Sequence, residues 1–426
     1  MTNWKKYKLE DISSKITKGT TPSSIGKNFT TYGINYIKAE AVTLDGKIDK
    51  NKFTYIDKAT NDQLQRSQLS EGDILFSMAG VYLGKTALVR KQHLPANTNQ
   101  ALALIRLKTD IANPDFVHYF FRQRGVFEYV NSITAQSAQP NINLAEIGDL
   151  EVFLPGLSIQ DRIVSILSSL DDKIELNRRM NQTLEQMAQA LFNHYFVDNI
   201  DPDNLPEGWS LGKLNDITIK ITKGTTPTTL KKQFVSSGIN FLKVETLTNF
   251  GTFDLKKLNF IDEETDALLS RSRIQKDDIL FSIAGTLGRI AMVNENVLPA
   301  NTNQALAIIR PDKNIIDALY IYYILKLPTI REDIFSQVVQ GVQANLSLTV
   351  LSNTPVVIPK YADMKKAFLV ISPLQKKIES NEAEIRNLLT IRDTLLPKLM
   401  SGEIDVSELN EEKLKEDFVT ENVLNA

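Results

Sequence analysis

The sequence predicts an α+β protein: two similar mixed α/β modules, each followed by a long helix. Three observations carry this reading. Leu94-Pro95-Ala96-Asn97-Thr98-Asn99-Gln100-Ala101-Leu102-Ala103-Leu104-Ile105-Arg106 recurs as Leu298–Arg310, with twelve of thirteen residues identical and an offset of 204. Inside each copy, short apolar runs bounded by Gly and Pro alternate with stretches of helical periodicity. After each copy, apolar residues fall at spacings of four and three over more than four heptads. A period of about 200 residues with two copies points to two domains rather than a solenoid.

The elements follow in order. Trp4, Leu9, Asp11 and Ile12 match Trp209, Leu214, Asp216 and Ile217, and Ile16–Pro22 is identical to Ile221–Pro227. Ile34 to Ile37 reads as a strand, inside a segment Gly33–Glu40 answered by Gly238–Glu245. Asp57 to Arg66 reads as a helix. Ile74 to Ser77 reads as a strand, and Asp73–Gly80 returns as Asp278–Gly285 with one change. Ala101 to Leu107 and Val152 to Pro155 are further strands. Pro114 to Val130 reads as a helix whose Phe116, Tyr119, Phe120 and Phe127 face the core. A single residue is lost between Gly80 and Leu83, and the register then holds through Gln139, Asn141 and Pro155 against Gln343, Asn345 and Pro359. So few indels mean one fold in both copies, each of a size that supports its own core.

The first helical seam runs Ile163, Leu167, Leu170, Ile174, Asn177, Asn181, Leu184, Ala188, Leu191, Tyr195. The second runs Ala367, Ile371, Leu374, Ile378, Asn381, Ile385, Leu388, Arg392, Leu395, Leu399. Neither Gly nor Pro occurs from 157 to 201 or from 374 to 396, as long helices require. Pro373 stands where it could begin or interrupt its helix, and Pro397 where it could end or kink it. Asn177 and Asn381 hold equivalent seam positions, either as buried polar residues that fix register or as the exposed end of the seam. The expected boundaries are 1–156 and 201–360 for the modules, 157–200 and 361–401 for the helices, and 402–426 for an acidic tail.

Composition narrows the chemistry. There is no cysteine, and His93, His118 and His194 have no counterparts in the other copy. A disulfide, a thiolate metal site or a His-based relay shared by both modules is therefore excluded. No apolar run spans a bilayer and Met1–Lys6 lacks a signal core, so the chain reads as cytoplasmic with no membrane partner. Gly80-Val81-Tyr82-Leu83-Gly84-Lys85-Thr86 is one residue short of a phosphate-binding loop, and Gly285–Ile290 lacks its Lys and Thr. A tight turn between strands is the better account. Asp277-Asp278 faces Gly72-Asp73 in the other copy and reads as turn residues. No dinucleotide or adenine-methyltransferase motif is present, so neither a catalytic residue nor a cofactor or metal site is expected. The whole chain has a net charge of −2, yet residues 1–155 hold 19 basic against 15 acidic side chains and 402–426 hold 2 against 8.

What the two copies share is polar. Lys18, Thr20 and Thr21, with Lys223, Thr225 and Thr226, supply ammonium, hydroxyl and backbone N–H groups suited to phosphate oxygens. Asn97, Thr98, Asn99 and Gln100, with Asn301, Thr302, Asn303 and Gln304, concentrate amides that can pair with adenine. Lys18 or Lys38, and Lys223 or Lys243 in the second copy, could reach guanine, while Glu40 and Glu245 could accept from cytosine. Ser137, Gln139 and Asn141, with Gln343 and Asn345, form another polar turn. These groups suit recognition of DNA or RNA. Equally, they could hold their own loops in a coiled-coil scaffold or adaptor whose duplicated domains bind protein and no DNA.

The order of parts resembles the specificity subunits of type I restriction–modification systems. The resemblance rests on Trp4…Leu9 and Trp209…Leu214, the Lys-Gly-Thr-Thr-Pro loops, the Asp-Ile-Leu-Phe-Ser strands, Gln139-Pro140-Asn141-Ile142-Asn143 with Gln343-Ala344-Asn345-Leu346-Ser347, and the helices that follow. It covers about 1–401. It implies two target recognition domains, each binding half of a bipartite site in double-stranded DNA. The helices would pair as an antiparallel coiled coil with pseudo-twofold symmetry, spacing the half-sites and docking two methyltransferase subunits. Those partners would bind S-adenosylmethionine, and two ATP-dependent restriction and translocation subunits would join for cleavage. The acidic tail fits no part of this pattern. Copies this alike imply a nearly palindromic site. Alternatively the shared block is scaffold, and bases are read where the copies diverge, at Ser23–Lys27 against Thr228–Lys232 or Ser137-Ala138 against Gly341-Val342.

Overall fold

The computed structural model describes residues 4–80, 83–133, 141–338 and 345–407. Two compact units emerge: residues 1–173 with 387–426, and residues 174–386. The first carries β1 (Lys5–Lys8), β2 (Ser13–Lys18), β3 (Ile34–Ile37), β4 (Thr54–Ile56), β5 (Ile74–Ser77), β6 (Thr86–Leu88), β7 (Ala96–Thr98), β8 (Leu102–Leu107) and β9 (Glu151–Leu154). Its helices are α1 (Lys58–Gln63), α2 (Pro114–Arg122), α3 (Arg124–Ile133) and α4 (Leu144–Gly148), followed by the start of α5 (Leu157–Phe196).

The strands form a four-stranded antiparallel sheet in the order β2-β8-β5-β6, a three-stranded sheet β4-β3-β7, and the pair β1-β9. Because both faces of the larger sheet are covered, β5 is buried throughout rather than alternating. Ile74 and Phe76 join the core under α2, whereas Leu75 packs with Ile37, Val89 and Leu104 on the other face. That accounts for the unbroken apolar run in the sequence. β5 and β6 pair antiparallel on either side of the Gly-rich segment that mimicked a phosphate loop, of which Val81 and Tyr82 lie outside the described residues. Asp73 is more than a turn residue: it caps Ser70 N–H at 2.7 Å and binds Arg106 through two 2.7 Å bonds. Asp278 and Arg310 repeat this pairing at 2.8 Å, which corrects the reading of Asp278 as a simple turn residue.

The second unit repeats the plan. It holds the rest of α5, then β10 (Ser210–Lys213), β11 (Thr218–Lys223), β12 (Ile239–Leu242), β13 (Asn259–Ile261), β14 (Ile279–Ser282), β15 (Ile290–Met292), β16 (Ala300–Thr302), β17 (Leu306–Pro311) and β18 (Pro355–Ile358). Its helices are α6 (Glu263–Leu268), α7 (Ala318–Ile324), α8 (Pro328–Ser336), α9 (Leu348–Asn353) and the first part of α10 (Tyr361–Met400). The sheet orders, β11-β17-β14-β15, β13-β12-β16 and β10-β18, are those of the first unit.

The expected helix over Pro114 to Val130 is two helices, α2 and α3, broken at the extended Gln123. Asn113 caps α2 by accepting from Asp115 and Phe116 N–H, with Pro114 at the first turn. In α10, Pro373 neither begins nor interrupts the helix, which runs from Tyr361 to Met400 with Pro373 on its exposed side. The carbonyl that the proline leaves without its helical donor belongs to Leu369, a residue that is itself exposed.

Within each unit α5 and α10 run antiparallel. In the first, Ile163, Ile166 and Leu167 share a core with Leu396, Leu399 and Met400, and Asp171 binds Arg392 at 2.8 Å. In the second, Asn177 donates to Glu384 and Asn181 to Glu382, each at 2.8 Å, while Asn381 donates to Asn181 at 2.8 Å. Asn177, Asn181 and Asn381 are all buried, so the seam asparagines are interior polar residues and not a frayed end. Leu170, Ile174, Ile378, Ile385 and Leu388 are buried, and Leu184, Leu191, Leu374 and Leu395 half-buried. Tyr195 departs from the expected seam: it is 39% exposed, and Phe192 and Phe196 are buried instead, stacked near Tyr320, Tyr323 and Phe368. There the helix packs at once against α10, through Phe368, and against a globular aromatic core, and the buried face moves by one position.

Replacing both Asn181 and Asn381 with Leu should raise thermal stability while loosening helix register, because a buried polar pair specifies alignment at an energetic cost. Hydrogen exchange of α5 and α10 together with a melting curve checks both effects. The expected tail begins as structure. Val406 is buried, Arg162 Nη1 donates to its carbonyl at 3.1 Å, and Trp4 packs over Gly402. Among the described residues no helix is long and apolar enough to cross a membrane.

Candidate nucleic-acid interface

Strand polarity brings the sequence-distant polar segments to one rim of the first module. Lys18 at the end of β2 pairs with Ala103 at the start of β8, and Ser77 at the end of β5 pairs with Leu102. The ends of β3 and β7 meet beside them, Ile37 against Thr98. Asn141 joins through a bridge to Ala79, and Ile142 N–H donates to the Met78 carbonyl at 2.9 Å. Lys18, Thr20, Thr21, Lys38, Glu40, Asn99, Gln100 and Asn141 therefore lie around one edge. In the second module Lys223, Thr225, Thr226, Lys243, Glu245, Asn303, Gln304 and Asn345 are assembled by the same pairings.

Two glycines make the rim compact. Gly19 N–H donates to the Asn99 carbonyl at 3.1 Å, and a Cβ on Gly19 would stand 1.8 Å from the Thr98 carbonyl oxygen. Gly224 meets Thr302 at the same 1.8 Å. Only glycine permits so close an approach of two backbones. It presses the Lys-Gly-Thr-Thr-Pro loop onto the end of β7, or β16 in the second module, and the turn after it, where Thr21 Oγ1 donates to Gln100 Oε1 and Thr226 Oγ1 to Gln304 Oε1.

The first half of the shared block is scaffold, which corrects the expectation that Asn97, Thr98, Asn301 and Thr302 contact DNA. Asn97 and Asn301 are 0% exposed. Asn97 Oδ1 accepts from Ser67 at 2.7 Å and Thr98 N–H at 2.9 Å, while its Nδ2 donates to Asn61 at 2.9 Å and the Leu64 carbonyl at 3.1 Å. Every hydrogen-bonding position of the amide is used. Thr98 donates to the Ile37 carbonyl at 2.8 Å. The second module repeats the set around Asn301, with Asp266 in place of Asn61. Arg273 binds Asp266 at 2.6 Å, where Gln68 donates to the Asn61 carbonyl in the first module. A charge has entered with its counter-charge. Thr302 donates to the Leu242 carbonyl at 2.8 Å.

Of the remaining predicted residues, Lys18, Lys223, Glu40, Glu245, Gln100, Gln304, Asn141 and Asn345 are exposed. Thr20, Thr21, Lys38, Asn99, Thr225, Thr226, Lys243 and Asn303 are half-buried. Ser137, Gln139 and Gln343 lie outside the described residues, as do Ala138, Gly341 and Val342. Lys38 is held in place: its ammonium sits 4.5 Å above the Phe29 ring and 4.0 Å from Glu40, and Lys243 sits 4.6 Å above Phe234. Tyr36 donates to the Thr20 carbonyl at 2.9 Å; burial pushes its phenol far above the usual value, so it stays a donor.

Two rim positions escaped the sequence reading. Arg66 Nη2 donates to Thr20 Oγ1 at 3.3 Å, and Arg271 Nη2 to the Lys223 carbonyl at 3.5 Å. Phe29 with Phe234, whose rings lie under Lys38 and Lys243, completes the set. Their signal was present in the duplication, since each is identical in both copies at an offset of 205. Outside the long identical block, isolated matches did not stand out.

Two modules of one fold, each presenting the same polar rim and each tied to long helices, define a bipartite recognition protein. A family model described as the type I restriction modification DNA specificity domain matches residues 1–186 and 206–390, and the chain belongs to that family. It is accordingly a non-catalytic DNA sequence-recognition component of a type I restriction–modification system. The type I restriction enzyme MjaIX specificity subunit of Methanocaldococcus jannaschii is 25% identical over 426 residues, covering 96% of this chain and 95% of that protein. The HindI specificity subunit of Haemophilus influenzae is also 25% identical, over 489 residues, covering 95% of this chain and 100% of the relative. Among solved structures, the type I S subunit from M. genitalium shares the fold, with a TM-score of 0.59 at 18% identity over 93% of this chain and 96% of that one.

Proposed function

We propose that each module reads one half of a bipartite, nearly palindromic DNA site with its rim, and that the paired helices dock two methyltransferase subunits. The methyltransferase subunits supply S-adenosylmethionine, and two ATP-dependent restriction and translocation subunits join for cleavage. The observation that carries the reading is the identity of the rims. Lys18, Thr20, Thr21, Lys38, Glu40, Arg66, Asn99, Gln100 and Asn141 all have identical counterparts in the second module. The same donors and acceptors on the same backbone select the same base-edge pattern, so like modules favour like half-sites. The loops Ser23–Lys27 and Thr228–Lys232 differ mainly by conservative changes, which supports rim readout over readout by divergent loops.

In this proposal Lys18 and Lys223 sit on phosphates. Replacing either with Ala should weaken binding to all sequences alike and reduce the slope of log K against log salt by about 0.9 for each phosphate no longer neutralised. Titrations at several salt concentrations, on cognate and scrambled duplexes, measure it; an unchanged slope removes the lysines from the phosphates.

A further inference from the structure

We propose that the two modules read different bases at one equivalent position, because Phe241 stands beneath the second rim where Tyr36 stands beneath the first. Gln304 takes guanine, Gln100 takes adenine, and residues 36 and 241 are the positioning residues that set the difference. The inference rests on the rim being the DNA-binding face, and it locates a point at which the nearly palindromic site departs from symmetry.

The two rims are alike in residues yet differ in hydrogen bonds. In the second module Gln304 Oε1 accepts from Thr226 Oγ1 at 2.5 Å and from Thr226 N–H at 3.2 Å. A backbone N–H can only donate, so the oxygen faces the loop, and both of its acceptor positions are filled. In the first module, among the described residues, Gln100 Oε1 accepts from Thr21 Oγ1 and not from Thr21 N–H. The loops are identical over Ile16–Pro22 and Ile221–Pro227, so they do not themselves supply the difference. Tyr36 and Phe241 lie below them, both fully buried and each paired with the conserved-block asparagine of its module, Asn97 or Asn301. Their rings stand edge-on to Phe29 and Phe234 at 5.2 and 5.3 Å. What differs is the hydroxyl. Tyr36 donates it to the Thr20 carbonyl at 2.9 Å. That carbonyl and the Thr21 N–H belong to one planar peptide group, which the bond ties to the strand beneath. Phe241 has no hydroxyl to offer the Thr225 carbonyl, and the N–H of that same peptide is the one that reaches Gln304.

The acceptor positions left on each amide then select the base. Gln304 offers only the two N–H groups of Nε2. In the major groove guanine presents two acceptors, N7 and O6, whereas adenine sets the donor N6 beside N7 and would bring donor against donor. Cytosine presents a donor, and thymine one acceptor beside a methyl group. Guanine is therefore the edge that a donor-only amide fits best. Gln100 keeps one acceptor position on Oε1 beside its N–H groups, the combination that matches N6 and N7 of adenine. Both glutamines are exposed, so either can meet a base edge.

The test is selection of binding sites from a randomised duplex pool by the full chain assembled with its methyltransferase subunits. The wild-type motif should hold guanine at one position of one half-site and adenine at the equivalent position of the other. Gln304→Ala should lower the guanine preference, and Gln100→Ala the adenine preference, by roughly fivefold or more, the lower end for a specific base contact. Phe241→Tyr should turn the guanine position toward adenine, and Tyr36→Phe the adenine position toward guanine. Each exchange installs the residue that the other module already accommodates, and both together should swap the half-sites at this position alone. Like bases at the two wild-type positions overturn the proposal, as do exchanges that leave the motif unaltered or weaken all sequences uniformly. If Lys18→Ala and Lys223→Ala leave binding untouched as well, the rim reading fails with it. If those lysine variants weaken binding while the exchanges leave the motif unchanged, only the base assignment fails.

Discussion

Asn97→Ala should unfold the first module well below the melting temperature of the second, although the residue lies in the most conspicuous polar motif of the chain. Its amide ties its own strand to the 61–67 segment through four partners: Ser67, Asn61, the Leu64 carbonyl and Thr98 N–H. Truncation leaves several of these buried without a partner, and each orphan costs about 1–3 kcal/mol. A total loss of roughly 3–5 kcal/mol follows, which for a unit of this size moves the transition by about 10 °C. The site selected by the protein that remains folded should not change. Two-phase melting in calorimetry, with an unaltered motif, is the expected result. A normal melting curve with an altered motif would return Asn97 to the base-reading set. Gln100→Ala, by contrast, should change stability by less than about 0.5 kcal/mol, as exposed substitutions do.

Asp171→Ala should be comparably destabilising for a different reason. The carboxylate receives Arg122 at 2.9 Å from α2, Arg392 at 2.8 Å from α10 and the Tyr119 hydroxyl at 2.9 Å. It therefore ties the start of α5 to both the module and the returning helix. It explains why an arginine occupies position 392 of a largely apolar seam. Removing the acid strands two guanidinium groups, each with a side chain only 14% exposed, and breaking a buried pair this way costs about 3–5 kcal/mol. Burial alone would raise the Asp171 pKa, but Arg122 and Arg392 outweigh it and hold the carboxyl below its usual 3.8. A depressed folded-state pKa contributes stability that is fully present above 3.8 and is lost as the pH falls through the lower, folded value. Denaturant titrations should thus show a large gap between wild type and Asp171→Ala at pH 7 that narrows below about pH 4. A gap that stays constant down to about pH 2.5 would show that the ion pairs are not its source.

Much of the architecture was legible because duplication and periodicity are properties of the chain itself. Repeats at 204 and 205 imply two copies of one fold, and runs such as Ile74–Ser77 and Leu102–Leu107 imply strands whatever lies around them. The heptads specify helices by the same local logic. The site was legible only in part. Sequence shows that Asn97, Thr98, Asn99 and Gln100 recur, but not which of them face water. In a strand and the turn after it, neighbours can point to opposite environments.

What the sequence alone determined is therefore the count, the kind and the order of elements: two α+β modules and two long helices. Only the tertiary structure decided the partition of the shared block, with Asn97 and Thr98 turned inward as scaffold and Gln100 turned outward beneath Thr21. It alone moved the buried face of α5 from Tyr195 to Phe192 and Phe196, and gave Arg392 its partner. The physical reason is the same in each case. Burial and hydrogen-bond pairing depend on segments brought close from 30 to more than 200 positions away, and no local pattern records which of two polar residues the fold will enclose.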